Sequence, residues 1–463
     1  MRKTSSAIRS KVVDLLNRHF SGNTFHYRQL IDIYVPILAD TAFIVLMSIL
    51  NTAMISSSGV AAVSAVSMVD SFNMFIVSLF VALATGGTVL VAQYKGSGNP
   101  RMASSTASQV VSVATLFGAV ISALLLVFHG PLLQWLFGQA EADVLENARI
   151  FLVGNCVTFP LFAMYQAIIG VLRGVAETKA SLILSIILNV AYFICNVFFV
   201  LLLDMGVIGL VISLLVSRTL GTAIAFGYLL KYSPSLQLRI RDSLKLNFAM
   251  VGKILHIGIP FASESLFFNG GKLLIQTFIV QFGTLALTAN AIGNSLAMLF
   301  QTGPNALSIA IVTVVGQCVG RNDIPDARKF IKSFLWLSSA LFVLMAAIIL
   351  PLFPYLVALY SPPDEIVPEI FALVALISVA QPLLWPISFV LPSALRAAGD
   401  ARFTSLTAML TMWLCRVVLG YILGVEFEYG LIGTWLAMVI EWGIRGFLFL
   451  WRFKGEKWVH RLV

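Results

Sequence analysis

Apolar residues run through this chain in long blocks separated by short polar breaks, without the face-by-face alternation of a fold solvated by water. A helix needs about 20 apolar residues to cross a bilayer. Twelve runs meet that length, near 30–56, 67–94, 108–129, 148–172, 180–203, 206–229, 254–281, 287–318, 333–355, 369–394, 403–424 and 430–451.

The blocks also repeat. Pro36-Ile-Leu-Ala-Asp40 in the first run returns as Pro260-Phe-Ala-Ser-Glu264 in the seventh, 224 residues later. Gln93 and Gly96 precede Gln317 and Gly320 by the same interval, and Gly209 precedes Gly433. The pair Leu172-Arg173 recurs one residue out of step as Leu395-Arg396. Two sets of six runs follow. Because six is even, both sets enter the membrane in the same orientation. The predicted fold class is an all-α membrane protein with 12 transmembrane helices in two six-helix bundles, related by a pseudo-twofold axis along the membrane normal. The expected domains are a cytoplasmic tail over 1–29, an N-lobe over 30–230, a cytoplasmic linker over 231–253, a C-lobe over 254–452 and a cytoplasmic tail over 453–463. Two lobes rocking around a central cavity are one way to alternate access across a membrane.

Composition supports lipid as the main solvent. Of the 463 residues, 59% are hydrophobic and 11% charged, with mean hydropathy +0.94. A soluble protein carries about 25% charged residues. The net charge of +9 is not a nucleic-acid footprint, because the basic residues gather at the termini and in alternate connections, as at Lys231, Arg239, Arg241 and Lys245. The intervening connections are acidic, as at Glu141, Asp143 and Glu146. By the positive-inside rule both termini are cytoplasmic, as expected for a multi-pass protein of the cell inner (plasma) membrane. The first 29 residues are polar and basic and do not read as a signal peptide. Residues 5–20 fit either an amphipathic helix on the inner leaflet or a frayed tail. Cys156, Cys195, Cys318 and Cys415 are isolated and the five His are scattered, so neither disulfides nor a metal site is expected. No phosphate loop, HExxH or nucleophile elbow occurs, which argues against an enzyme and against ATP as the local energy source.

Candidate chemistry is therefore intramembrane. Asp40 is the leading residue: a carboxylate in an apolar span is costly and usually faces a cavity. Burial disfavours the ionised form, so such a group can take up and release a proton. Pro36, one turn earlier, removes a helix hydrogen bond and supplies a hinge. The competing reading is a structural hydrogen bond to a neighbouring helix. Glu264 with hinge Pro260 carries the same argument in the second half. Asp70 near an outer end is either a relay or a solvated cap. Asn189 and Asn196 share a helical face and either line a polar cavity or join helices, and Asn290 and Asn294 pose the same question. Arg218, Lys272, Arg416 and Arg445 also lie in hydrocarbon. Glu441 and Arg445 stand at i,i+4, the spacing of an ion pair, which Arg416 is placed to join. Lys272 either reaches Glu264 along two turns or faces a cavity and favours an anionic substrate.

These residues resemble a known family. The Pro-x-x-x-Asp of span one, the Leu-Arg-Gly-x-x-x-Thr-Lys after span four, and Val-Ala-Gln-x-x-Gly with its counterpart Val-Gly-Gln-x-x-Gly are similar to the multidrug and toxic compound extrusion (MATE) transporters. The likeness covers the chain after residue 29. It implies export of small organic compounds by antiport against protons or sodium, with Asp40 as the coupling acid of the first lobe, no cofactor beyond that ion, and a monomer in membrane lipid. NorM-type members also use acids on spans seven and ten. Glu264 matches the first, but span ten has no Asp or Glu between Phe371 and Ala394, and the equivalent position is near Trp385. The chain looks more like the DinF-type branch, and proton coupling is expected. Competing readings are a sodium-coupled MATE antiporter, an exporter of anionic aromatic metabolites such as flavins, and a flippase for lipid-linked oligosaccharides.

Overall fold

A computed structural model describes Asp14 and residues 17–55, 60–138, 140–236 and 247–459. Most of the amphipathic segment considered over 5–20, and linker residues Arg239, Arg241 and Lys245, lie outside the described residues. No β-strand occurs among the described residues. The chain forms α1 (Tyr27–Ile55), α2 (Val60–Gly96), α3 (Pro100–Phe137), α4 (Ala142–Gly174), α5 (Thr178–Asn196), α6 (Gly206–Lys231), α7 (Phe248–Gln281), α8 (Thr284–Gly320) and α9 (Ile324–Ala358). Three further helices follow: α10 begins at Val367–Trp385, α11 at Ala401–Thr411, and α12 is Gly430–Lys454. The 37 residues of α2 or α8 rise about 55 Å, well beyond a hydrocarbon core of about 30 Å. Their ends therefore extend past it.

By length and apolarity, eleven helices among the described residues are able to cross a membrane. The helix left out is α7, whose hydropathy is lowered by Glu264, Asn269 and Lys272. It occupies the seventh place in the chain order and completes the twelve. The shortfall itself points to function, since polar residues in such a helix need something other than lipid beside them.

Helix geometry departs from regular α form in defined places. The end of α5 continues as a π-helix over Val197–Leu202, and α10 passes through a π segment at Pro386–Val390 into Leu391–Ala397. Pro386 cannot donate the i→i−4 hydrogen bond, which favours the wider turn there. In α11 the π segments Met412–Val418 and Ile422–Glu426 flank a short α turn.

The repeat is visible in the turns as well as the helices. Left-handed backbone occurs at Gly98 and Asn322, at Ala176 and Gly399, at Asp204 and Glu428, and at Gly206 and Gly430. Each pair is 223 or 224 residues apart. Helix starts match too: Asn99 accepts from the Met102 amide at 3.1 Å, and Asp323 accepts from the Asp326 amide at 3.1 Å. Both caps precede α3 or α9 with a proline in the first turn.

Internal contacts divide the chain into two compact units, Val35–Ala262 and Met1–Tyr34 with Ser263–Val463. The unit borders fall two residues from Pro36 and from Pro260. The lobes expected at 30–230 and 254–452 thus differ from these units at their ends. In the first unit the start of α7 packs on α2: Lys253 donates to the Tyr94 hydroxyl at 3.5 Å. A Cβ on Gly86 would meet the Ile254 carbonyl oxygen at 2.7 Å, so only glycine permits that approach. Phe80 in its core packs edge-on against Phe117 and Phe159. In the second unit Phe25 packs edge-on against Phe330, and the Tyr34 hydroxyl donates to the Gly303 carbonyl at 3.4 Å. Its core includes Phe342, Trp385 and Phe389, with Trp385 stacked on Phe389 at 4.8 Å.

Candidate functional site

Asp40 lies one turn after Pro36 on α1, and its side chain is 1% exposed. Arg173, at the end of α4, places Nη2 at 2.6 Å from Asp40 Oδ2. The second oxygen, Oδ1, is buried without a hydrogen-bond partner. Thr41 is occupied within its own helix, donating to the Ile37 carbonyl at 2.8 Å. Tyr165 on α4 is near enough to interact electrostatically with both members of the pair. The structural alternative weighed for Asp40 was a neutral hydrogen bond. What the fold supplies is a charged partner.

The second unit builds the same pair. Arg396 Nη1 stands 2.8 Å from Glu264 Oε2, and Ser405 Oγ donates to that oxygen at 2.9 Å. Asp40 and Arg173 are 133 residues apart, and Glu264 and Arg396 are 132 apart. The two pairs are therefore copies generated by the repeat. Glu264 is less enclosed than Asp40, with 16% of its side chain exposed. Sequence reasoning noted Leu172-Arg173 and Leu395-Arg396 only as markers of the repeat. The signal that these arginines are the acids' partners was present: both members of each pair recur in one register.

The polar residues expected to line cavities make their hydrogen bonds elsewhere. Asn189 donates to the Ser185 carbonyl at 2.9 Å within α5. Asn196 donates to Asn51 Oδ1 at 3.2 Å, joining α5 to α1 about three turns past Asp40. Asn290 accepts from Trp435 Nε1 at 3.0 Å and from Asn294 Nδ2 at 3.1 Å, and reaches Gln276 at 3.5 Å. These contacts join helices, the second of the two readings considered for the asparagines. Asp70 accepts from Asn73 at 3.4 Å, while Arg218 donates to Thr158 at 2.6 Å and stacks over Phe162 at 4.5 Å.

A third constellation lies on α7, α11 and α12. Arg445 Nη1 is 2.6 Å from Glu441 Oε1, which realises the i,i+4 pair read from the sequence. Arg416, in the π segment of α11, places Nη1 at 3.9 Å from Glu441 Oε2. Lys272 does not pair with Glu264; its Nζ lies 4.8 Å from the centre of the Phe268 ring. Trp385, where a span-ten acid was looked for, is 2% exposed in its aromatic stack.

A family model described as MatE matches residues 36–202 and 260–422, one match in each half. The probable multidrug resistance protein NorM of Thermotoga maritima is 26% identical over 450 residues, covering 94% of each chain. The uncharacterized transporter YisQ of Bacillus subtilis is 25% identical over 437 residues, covering 92% of this chain and 94% of YisQ. Among solved structures, the outward-facing conformation of a multidrug resistance MATE family transporter of the MOP superfamily superposes with a TM-score of 0.85. It is 17% identical, and the match covers 96% of this chain and 98% of the other. At that identity the likeness speaks for the fold.

Proposed function

The chain belongs to the MATE family of multidrug efflux transporters, and on that premise we propose that it exports small organic compounds by antiport against protons, with Asp40 as the principal coupling acid. The observation that carries this reading is the Asp40–Arg173 pair on a proline-broken helix, at 2.6 Å and 1% exposure of the acid. A proton arriving at Asp40 removes the negative charge that Arg173 binds, and the pair opens. Pro36 stands one turn away, at a point where α1 lacks a backbone hydrogen bond, so α1 bends there at little cost. The bend changes which side of the membrane the substrate site faces. Release of the proton to the cytoplasm restores the pair. Both termini are placed on the cytoplasmic face of the cell membrane.

Proton coupling is preferred to sodium coupling because each acid already has a guanidinium partner and because Trp385 replaces a third carboxylate. A sodium site wants several oxygen ligands without a competing cation. The same features favour the DinF-like branch. Glu264, held by Arg396 and Ser405, acts as a second, more exposed acid in the other half.

The test is efflux of ethidium from everted vesicles under imposed proton or sodium gradients, with wild type and Asp40→Asn compared. Proton-driven efflux that disappears in Asp40→Asn is the expected result. Sodium-driven efflux that survives the substitution overturns it.

A further inference from the structure

The cluster on α7, α11 and α12 holds three cations and one carboxylate. Glu441 is fully buried and committed to Arg445, whose side chain is 2% exposed. The members nearer the opening are all positive: Arg416 is 13% exposed and Lys272 is exposed. Both stand against one aromatic ring, with Lys272 Nζ at 4.8 Å and Arg416 Cζ at 5.7 Å from the centre of Phe268. Lys272 makes no ion pair or hydrogen bond among the described residues. Donors are in excess as well. Nε and Nη2 of Arg445 and the indole N–H groups of Trp413 and Trp442, on the same two helices, are buried without acceptors.

Two like charges gathered at one ring within hydrocarbon depth raise each other's energy, and an anion between them lowers it. The repeat shows that the fold does not require them. In the 224-residue register, Lys272, Arg416, Glu441 and Arg445 correspond to Ser48, Tyr192, Ser217 and Gly221, which carry no charge. The first unit forms its six-helix core without such a cluster.

We propose that Lys272 and Arg416 form a subsite for the oxyanion, a carboxylate or a phosphate, of an aromatic organic substrate whose ring packs on Phe268. The subsite deepens the export reading and rests on it. Glu441 and Arg445 act as its base: the acid orients Arg416 at 3.9 Å while Arg445 absorbs most of its charge at 2.6 Å.

The experiment measures binding, so its outcome is separate from that of proton coupling. Wild type in nanodiscs of zwitterionic lipid is titrated against carboxyfluorescein (an anion) and rhodamine 123 (a cation on the same ring system), read by fluorescence anisotropy. Lys272→Gln is expected to raise the Kd for carboxyfluorescein about tenfold, ~1.4 kcal/mol, and to leave rhodamine 123 within about twofold or tighter. Lys272→Arg is expected to restore carboxyfluorescein binding. Arg416→Gln shifts the Kd in the same direction. Because it also touches Glu441, Lys272→Gln is the deciding variant. Absence of carboxyfluorescein binding to wild type, an unchanged Kd in Lys272→Gln, or equal weakening of both dyes overturns the proposal. Asp40→Asn keeps carboxyfluorescein binding whether or not it abolishes proton-driven efflux. Loss of that binding in Asp40→Asn counts against a subsite independent of the coupling acid.

Discussion

Arg173→Gln tests whether the acid–arginine pair is an energetic unit. The substitution strands a carboxylate that is 1% exposed and whose Oδ1 already lacks a hydrogen-bond partner. Removing one member of a buried ion pair costs about 3 to 5 kcal/mol. Arg173 keeps 21% of its side chain exposed, so solvent screens the pair in part and the lower end, ~3 kcal/mol, applies. Asp40→Asn should cost less, because the guanidinium left behind reaches water. The double variant Asp40→Asn/Arg173→Gln keeps the shape and removes both charges, and should recover at least half of the Arg173→Gln loss. For a unit of roughly 230 residues, 1 kcal/mol corresponds to about 2 to 4 °C, so Arg173→Gln should lower the melting midpoint by about 6 to 12 °C. The assay is thermal unfolding of the four purified proteins in one detergent at neutral pH, followed by tryptophan fluorescence. At acid pH the gap between Arg173→Gln and wild type should narrow, since a protonated carboxyl needs no counter-charge. Single-variant deficits that merely add in the double variant, or an Arg173→Gln midpoint within about 2 °C of wild type, would refute the reasoning.

Three further substitutions separate packing, bending and helix joining. Gly86→Ala places a methyl 2.7 Å from the Ile254 carbonyl oxygen and should destabilise by about 1 to 3 kcal/mol, read as a lower midpoint. Gly270→Ala, with nothing within 4 Å of its new methyl, is the control and should be neutral or stabilising by about 0.5 kcal/mol. Pro36→Ala restores a helix hydrogen bond; the protein should melt no lower than wild type, yet proton-driven ethidium efflux should slow severalfold. Asn196→Ala removes the bond to Asn51 and leaves that side chain short of a partner. It should cost about 1 kcal/mol of stability while efflux stays within twofold of wild type.

The fold was legible because membrane spans are long, apolar and punctuated, and because the repeat reports twice on every feature. The four matched pairs of left-handed turn residues confirm the register that Gly209 and Gly433 suggested. Other features depend on three-dimensional proximity and left only faint traces. Arg173 sits 133 residues from Asp40, and nothing in the local sequence says that the end of α4 reaches the middle of α1. Asn189 and Asn290 look alike in sequence, each a polar residue in an apolar run. One bonds within its own helix, whereas the other connects α8 with α7 and α12. The π segments were invisible, since a wider turn arises from the balance of neighbouring packing and leaves no fixed motif.

Duplication within one chain separates what both halves require from what one half has acquired. The acid–arginine pair, the proline one turn before the acid, the capped starts of α3 and α9 and the left-handed turns occur twice. Those are the parts a bending six-helix unit needs wherever it stands. Lys272, Arg416, Glu441 and Arg445 occur once, against Ser48, Tyr192, Ser217 and Gly221, and they introduce charge at a cost the first unit avoids. Even within the duplicated pair the halves differ: Glu264 shares its oxygen with Ser405 and is 16% exposed, while Asp40 is 1% exposed and has one oxygen unpartnered. An acid with an idle, water-excluded oxygen gains most from receiving a proton, and an acid already satisfied by two donors gains least. Coupling is thereby assigned to the first half, and recognition of charge to the second.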